Sequence, residues 1–195
     1  MDYPKMTRVF LAEAADTGTP AFKNWFRNSH VVDDQGQPAI VYHATVSNFD
    51  VFRQTRDVGF HFGTQQAAHD RLKHWAGDVD AKNKPANIMP CFLTVQHPLE
   101  LGDMLNWEPQ EIGQELLMRG EISKDQLNKV LIRSSRDDRN KVLMDIIKKL
   151  GYDGVSYTNA AEDKGSITWI AFEAGQVKSV FNRGTWDRRR GSVNE

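Results

Sequence analysis

Two hydrophobic periods run along the chain, and the change from one to the other separates strands from helices. Alternating or continuous apolar runs predict strands at residues 31–32, 39–45, 59–63, 88–95, 154–157, 167–172 and 176–181. Helical spacing predicts helices from residue 20 to about 26 and over residues 64–75, 109–118, 123–132 and 135–150. The last three helices follow one another without a strand between them. This order predicts an α+β fold whose sheet is mainly antiparallel, with a helical insertion at about 103–150.

Composition limits the chain to one domain. Its 195 residues are 39% hydrophobic and 26% charged, which is typical of one globular core. A hydroxyl followed by proline at Thr19–Pro20 begins the patterned part, so we expect a domain over 19–182 and an N-terminal extension over 1–18. Residues 183–195 hold four arginines and few apolar residues, which predicts a flexible basic tail.

Charge and cysteine content indicate the setting. The net charge of -1 gives no overall attraction for nucleic acid or membrane, so we expect no membrane partner, and a protein partner is favoured over nucleic acid. Cys91 is the single cysteine and lies in an apolar run, which predicts a buried thiol in a reducing, cytoplasmic protein. His69 and His74 are five residues apart on one predicted helix, so they lie on different faces, and we expect no metal.

Several short motifs occur in a distinctive order. Residues 41–45 read VYHAT, residues 59–64 read GFHFGT, residues 151–154 read GYDG and residues 176–179 read QVKS. With residues 29–38 and 49–52, this series resembles the ADP-ribosyltransferase domains of phage and mobile-element polyvalent proteins, within the diphtheria-toxin and poly(ADP-ribose) polymerase class. The resemblance implies split antiparallel sheets around an NAD⁺ cleft. It also implies transfer of ADP-ribose to a macromolecular acceptor, in the bacterial cytoplasm if the protein is phage-encoded.

The same resemblance assigns roles to the first two motifs. His43 is expected to hydrogen-bond the ribose next to the adenine, with Thr45 adding a hydroxyl, while the backbone at Ala44 holds the nicotinamide carboxamide. The family has glycine at that position, and alanine keeps both backbone groups but has fewer allowed dihedrals. His61 falls where the polymerases have a tyrosine that stacks on nicotinamide. The flanking residues Tyr42, Phe60 and Phe62 complete the expected cofactor-binding strands, although strand alternation turns both phenylalanines toward the core.

The third motif departs from the polymerases. Their catalytic glutamate falls on Thr168, which cannot supply a negative charge. Two interpretations stay open. Thr168 only hydrogen-bonds the nicotinamide-side ribose while a carboxylate from the preceding loop, Glu162 or Asp163, supplies the acid, or the acceptor supplies its own base. Glu162 is otherwise a solvated turn residue. Arg71, on the helix after the second motif, either meets a pyrophosphate oxygen or lies on a solvated helix face.

Four functions are compatible with these motifs. The first is mono-ADP-ribosyl transfer with NAD⁺ as co-substrate and no metal. The others are an NAD⁺ glycohydrolase toxin, a non-catalytic NAD⁺ or ADP-ribose binding module, and NAD⁺-dependent removal of a 2′-phosphate from RNA. The last would require basic residues along the cleft, whereas the arginines cluster near the C-terminus.

Overall fold

A computed structural model describes residues 15–53, 57–76 and 86–195, so most of the expected N-terminal extension lies outside the described residues. The helices in this part are α1 (Pro20–Phe26), α2 (Gln65–Ala76), α3 (Pro109–Met118), α4 (Lys124–Leu131) and α5 (Arg136–Lys149). The strands are β1 (Val41–Thr45), β2 (Phe60–Phe62), β3 (Asn87–Leu93), β4 (Pro98–Leu101), β5 (Gly154–Thr158), β6 (Ile167–Ala171) and β7 (Val177–Ser179). A short 3₁₀ turn precedes β7.

The strands form two separate sheets, which confirms the α+β prediction. One sheet has the order β1-β3-β7 and is antiparallel throughout, and the other has the order β2-β6-β5-β4. Backbone hydrogen bonds between Tyr42 and Gly63 join β1 to the end of β2. The β4–β5 pair is parallel, and the sequence did not predict β4. This strand has four residues and begins with proline, so its pattern is too short to stand out.

Strand alternation divides the core into two layers. Phe60 and Phe62 of β2 pack in a cluster with Val41, Cys91 and other residues of the first sheet. Alternate positions on β5 and β6, such as Ile170, face the opposite way and pack against α3, α4 and α5. Side chains at successive strand positions therefore enter different layers. His61 lies between the two phenylalanines and belongs to the helix side of the sheet.

Hydroxyl caps explain where several helices begin. Thr19 accepts a hydrogen bond from the backbone of Phe22, and Ser123 and Ser135 accept equivalent bonds at the starts of α4 and α5. Each cap satisfies a backbone N–H that has no partner within the helix. The caps explain why α4 and α5 fall within one residue of their predicted bounds, and Pro109 at the first helical position marks the start of α3.

The last residues are not the flexible tail that composition predicted. Trp186 is only 4% exposed, and its ring lies 4.8 Å from the ring of Phe22 on α1. Val193 is buried, and its backbone bonds to Ser179 and Asp50. These two apolar residues bury enough surface to hold the segment, a contribution that an average over thirteen mostly polar residues conceals. The domain therefore extends past residue 182.

Two of the four arginines of this segment are paired with carboxylates within it. Arg189 pairs with Asp187 at 3.0 Å, and Arg190 pairs with Glu195 at 2.9 Å. Lys178 on β7 is buried, and its Nζ donates to the carbonyl oxygens of Arg190 and Ser192. The segment thus closes on the first sheet through Lys178, and part of its positive charge is paired with its own carboxylates.

The cysteine and the helix lengths can also be compared with the sequence analysis. Cys91 on β3 is completely buried, and burial raises the pKa of its thiol, so the thiol is structural as predicted. None of the helices in the three described stretches is long and apolar enough to cross a bilayer.

Candidate functional site

A cleft of about 1260 Å³ brings together the motifs at 41–45, 49–52 and 59–63 with Thr168 and Glu162. Its walls come from β1, β2 and α2, from the ends of β5 and β6, and from the loops at 46–53, 103–107 and 159–162. Pockets for drug-sized ligands usually measure roughly 300–1,000 Å³. The cleft is therefore large enough for an extended ligand such as a dinucleotide.

His43 is fixed by a backbone acceptor. Its Nδ1–H donates to the carbonyl oxygen of His61 at 2.8 Å, and its ring packs edge-on against Phe52 with the centroids 4.9 Å apart. Burial lowers the pKa of His43, so the imidazole is neutral at pH 7. Because Nδ1 holds the proton, Nε2 is left with a lone pair. His43 thus offers the cleft a hydrogen-bond acceptor, which suits a ligand hydroxyl.

His61 lies 18 residues later and lines the same cleft. Its ring is edge-on to Trp107 at 5.5 Å between centroids, and its Nδ1 is 3.4 Å from the hydroxyl oxygen of Tyr157. Burial lowers the pKa of His61 to about 4, so this ring is also neutral at pH 7. Nε2 is buried and has no hydrogen-bond partner among the described residues.

Thr168 anchors the loop that carries the predicted carboxylates. It is 3% exposed, and its Oγ1 accepts a hydrogen bond from Nδ2 of Asn159 at 3.0 Å. Oδ1 of Asn159 in turn accepts from the backbone N–H groups of Ala161 and Glu162, at 2.9 and 2.8 Å. Such a side-chain-to-backbone turn fixes the start of the loop. Thr168 therefore positions Glu162 through Asn159.

Glu162 lines the cleft and forms an ion pair across it. Its Oε1 is 3.2 Å from Nη1 of Arg71, which also lines the cleft and lies 5.2 Å from the ring centre of Trp75. Asp163 instead accepts a hydrogen bond from the hydroxyl of Thr64, which itself caps the start of α2. The two candidate carboxylates thus have separate partners, and Glu162 is the one that lines the same cleft as the histidines.

The remaining predicted residues contribute mainly architecture. Phe60 and Phe62 reach the cleft wall, but they are buried in the core between the sheets. The hydroxyl of Thr45 is bonded to both backbone groups of Ser47, so it is engaged in a local turn. The backbone of Tyr42 bonds to the backbone of Gly63 and so joins the two sheets. Ala44 also lines the cleft.

Sequence reasoning missed several residues that line the cleft. Tyr157 on β5 approaches His61, and Asn159 just after it approaches Thr168, only because β5 and β6 pair. Arg136, at the start of α5, reaches the far wall and pairs with Asp57 at 3.3 Å and Glu108 at 2.9 Å. The sequence held one signal for these residues, a polar residue directly after a buried strand, and it pointed to Asn159.

These features define an α+β domain with two split sheets and a histidine-lined cleft between their strand ends. Residues 33–186 match the family described as ADP-ribosyltransferase in polyvalent proteins. This match covers most of the chain, which therefore belongs to that family, as the motif order predicted. The family supports ADP-ribosyltransferase activity in general.

Other comparisons add little. No curated protein matches the chain. Among solved structures, the crystal structure of an anti-CRISPR protein is similar at 11% sequence identity and a TM-score of 0.33, covering 71% of this chain and 91% of the other. A similarity of that size carries no argument about fold or function.

Proposed function

We propose that the protein binds NAD⁺ in this cleft, breaks its nicotinamide–ribose bond and transfers a single ADP-ribose to a macromolecular acceptor. The observation that carries the proposal is the convergence of His43, His61, Thr168 and Glu162 on one cleft from three distant motifs. Membership of the ADP-ribosyltransferase family supports the reaction type. The proposed setting is a phage or mobile-element protein that acts in the bacterial cytoplasm.

The groups around the cleft fit a dinucleotide. His43 offers an acceptor for a ribose hydroxyl, and Nε2 of His61 is a buried polar atom without a partner in the described chain. Arg71 offers a guanidinium that suits a pyrophosphate oxygen, although it is paired with Glu162 in this structure. Apolar rings from Phe49, Phe52 and other residues complete the walls. Such a mixture of apolar surface and a few polar groups is typical of nucleotide pockets.

The proposed chemistry needs negative charge beside the reacting ribose. When the bond to nicotinamide breaks, nicotinamide leaves with the bonding electrons and positive charge develops on the ribose. The carboxylate of Glu162 stabilises that charge and receives the proton that the acceptor loses as its oxygen or nitrogen bonds to the ribose. Thr168 contributes by holding the loop through Asn159.

A protein is proposed as the acceptor because the chain has a net charge of -1 and two of the four C-terminal arginines are paired within their own segment. Neither feature provides the extended positive surface that nucleic acids require.

Nicotinamide release tests the proposal. The purified protein is incubated with NAD⁺, with and without bacterial lysate, and free nicotinamide and labelled ADP-ribose adducts are measured. Transfer predicts release that depends on lysate, together with labelled macromolecules that disappear on protease treatment. Equal release without lysate would replace transfer by hydrolysis, and no release with retained NAD⁺ binding would leave only a binding module. Label resistant to protease but sensitive to nuclease would overturn the proposed protein acceptor.

A further inference from the structure

Tyr157, Thr168 and His61 share one face of the four-stranded sheet. Tyr157 lies directly opposite Thr168 in the β5–β6 register, and His61 lies opposite Ile170, two residues along the same strand. Directly opposed side chains on antiparallel strands are close neighbours. The hydroxyl oxygen of Tyr157 is 3.4 Å from Nδ1 of His61. The assigned motifs do not include Tyr157, yet it connects two of them.

The donors and acceptors can be assigned in order, beginning with Asn159. Its Oδ1 accepts from two backbone N–H groups, which fixes the orientation of the amide, so its Nδ2 must be the atom that donates to Thr168. Having accepted this bond, the Thr168 hydroxyl has its own proton to donate. The phenol of Tyr157 lies directly opposite Thr168 across the strand pair, and the Thr168 hydroxyl favours the ionised form of that phenol, as a group that donates toward its oxygen would. Burial has the larger effect and raises the pKa of Tyr157, so the phenol keeps its proton.

The phenol proton of Tyr157 is directed toward His61. Among the described residues, the hydrogen-bond partner found for the Tyr157 hydroxyl is Nδ1 of His61, 3.4 Å from the phenol oxygen, and a protonated phenol donates to it. A neutral imidazole carries one proton, so a ring that accepts at Nδ1 carries its proton on Nε2. Nε2–H is then a buried donor, and no described residue accepts from it. Buried donors are rarely left without a partner, which points to a group supplied by a ligand.

We propose that Asn159, Thr168 and Tyr157 form a hydrogen-bond relay that holds His61 as a neutral Nε2–H donor, and that this donor binds an acceptor oxygen of the dinucleotide. The second half rests on the proposed function. His43 has the reverse arrangement, because its Nδ1–H is held by a backbone carbonyl and its Nε2 accepts. The two histidines thus recognise opposite groups: a ligand hydroxyl at His43 and a ligand carbonyl or phosphate oxygen at His61.

The relay is tested on the free protein by nitrogen NMR of ¹⁵N-histidine-labelled samples at neutral pH. We expect the Nε2–H tautomer for His61 in the wild type. Tyr157→Phe and Thr168→Val keep the shape of each side chain and remove the hydroxyl, so both should shift His61 toward the Nδ1–H tautomer. Tyr152→Phe is the matched control, because the Tyr152 hydroxyl bonds to Glu121 outside the cleft, and it should change nothing at His61.

Two results would overturn the relay: an Nδ1–H tautomer in the wild type, or an unchanged tautomer in Tyr157→Phe. Neither depends on NAD⁺, so a failed relay is distinguishable from a failed transferase. If Thr168→Val unfolds the chain, Tyr157→Phe alone decides the outcome.

The ligand contact is tested by adding nicotinamide or ADP-ribose separately to the labelled protein. A shift at Nε2 of His61 with nicotinamide identifies a carboxamide oxygen as the acceptor, and a shift with ADP-ribose identifies a phosphate or ribose oxygen. No shift at His61 with either compound, while His43 responds, would refute the donor role and leave the cleft assignment intact. In turnover, Tyr157→Phe should raise KM for NAD⁺ by roughly 3- to 10-fold with little change in kcat, the effect of one weakened hydrogen bond.

Discussion

Replacing Glu162 by glutamine should lower the activity of the protein but leave its stability nearly unchanged. The ion pair with Arg71 is partly solvated, with side-chain exposures of 22% for the carboxylate and 47% for the guanidinium. Pairs this exposed contribute about 0–1 kcal/mol, so Glu162→Gln should leave the free energy of unfolding nearly unchanged. The backbone N–H of residue 162 still donates to Asn159, so the loop keeps its anchor.

The expected loss of activity is much larger. A carboxylate that stabilises developing positive charge or takes up a proton contributes roughly 10²- to 10³-fold to the rate, which corresponds to about 2.7–4 kcal/mol. Glutamine keeps the size and polarity of the side chain but removes the charge. Nicotinamide release in the presence of the acceptor should therefore fall by that factor, while urea unfolding shifts little.

Glu115→Gln is the matched control. Glu115 pairs with Arg119 at 2.7 Å on α3, both side chains are about one-third exposed, and neither lines the cleft. This variant should match the wild type in both assays. If Glu162→Gln and Asp163→Asn both retain full transfer while Thr168→Ala is inactive, the loop carboxylate is refuted, and a base supplied by the acceptor must replace it. A loss of several kcal/mol of stability in Glu162→Gln would show that the carboxylate also supports the fold.

Three further predictions concern the histidines and the C-terminal segment. His43→Ala should reduce transfer by about 100-fold or more if His43 orients NAD⁺ for attack, and near-normal turnover would remove it from the site. Burial lowers the pKa of His61 to about 4, below about 6.5 in an unfolded chain, so protonation favours unfolding. Stability should fall as the pH drops from about 6.5 toward 4, by about 2 kcal/mol near pH 5, and His61→Asn should lose much of this dependence in urea titrations. Trp186→Ala should cost roughly 3–5 kcal/mol in thermal or urea unfolding, whereas a free tail would tolerate it without change.

Local rules explain what the sequence determined. Helical periodicity and serine caps were sufficient to place α4 and α5 within a residue of their bounds, because those signals act within a few residues. The order of the motifs likewise identified the family and the strands that carry His43 and His61. Strand alternation correctly turned Phe60 and Phe62 into the core.

Contacts between distant segments were decided only by the tertiary structure. The pairing of β5 with β6 brings Tyr157 and Asn159 to Thr168. The residue pattern within either strand does not reveal which residues of the two strands lie opposite each other. The closure of residues 183–195 depends on Trp186 meeting Phe22, more than 160 positions away by their numbering, so composition alone predicted a free tail. The different positions of Glu162 and Asp163 depend on which partner each carboxylate meets: Arg71 in the cleft wall, or Thr64 at the start of α2. Local patterns determine elements, whereas register and packing between elements determine which side chains form the site.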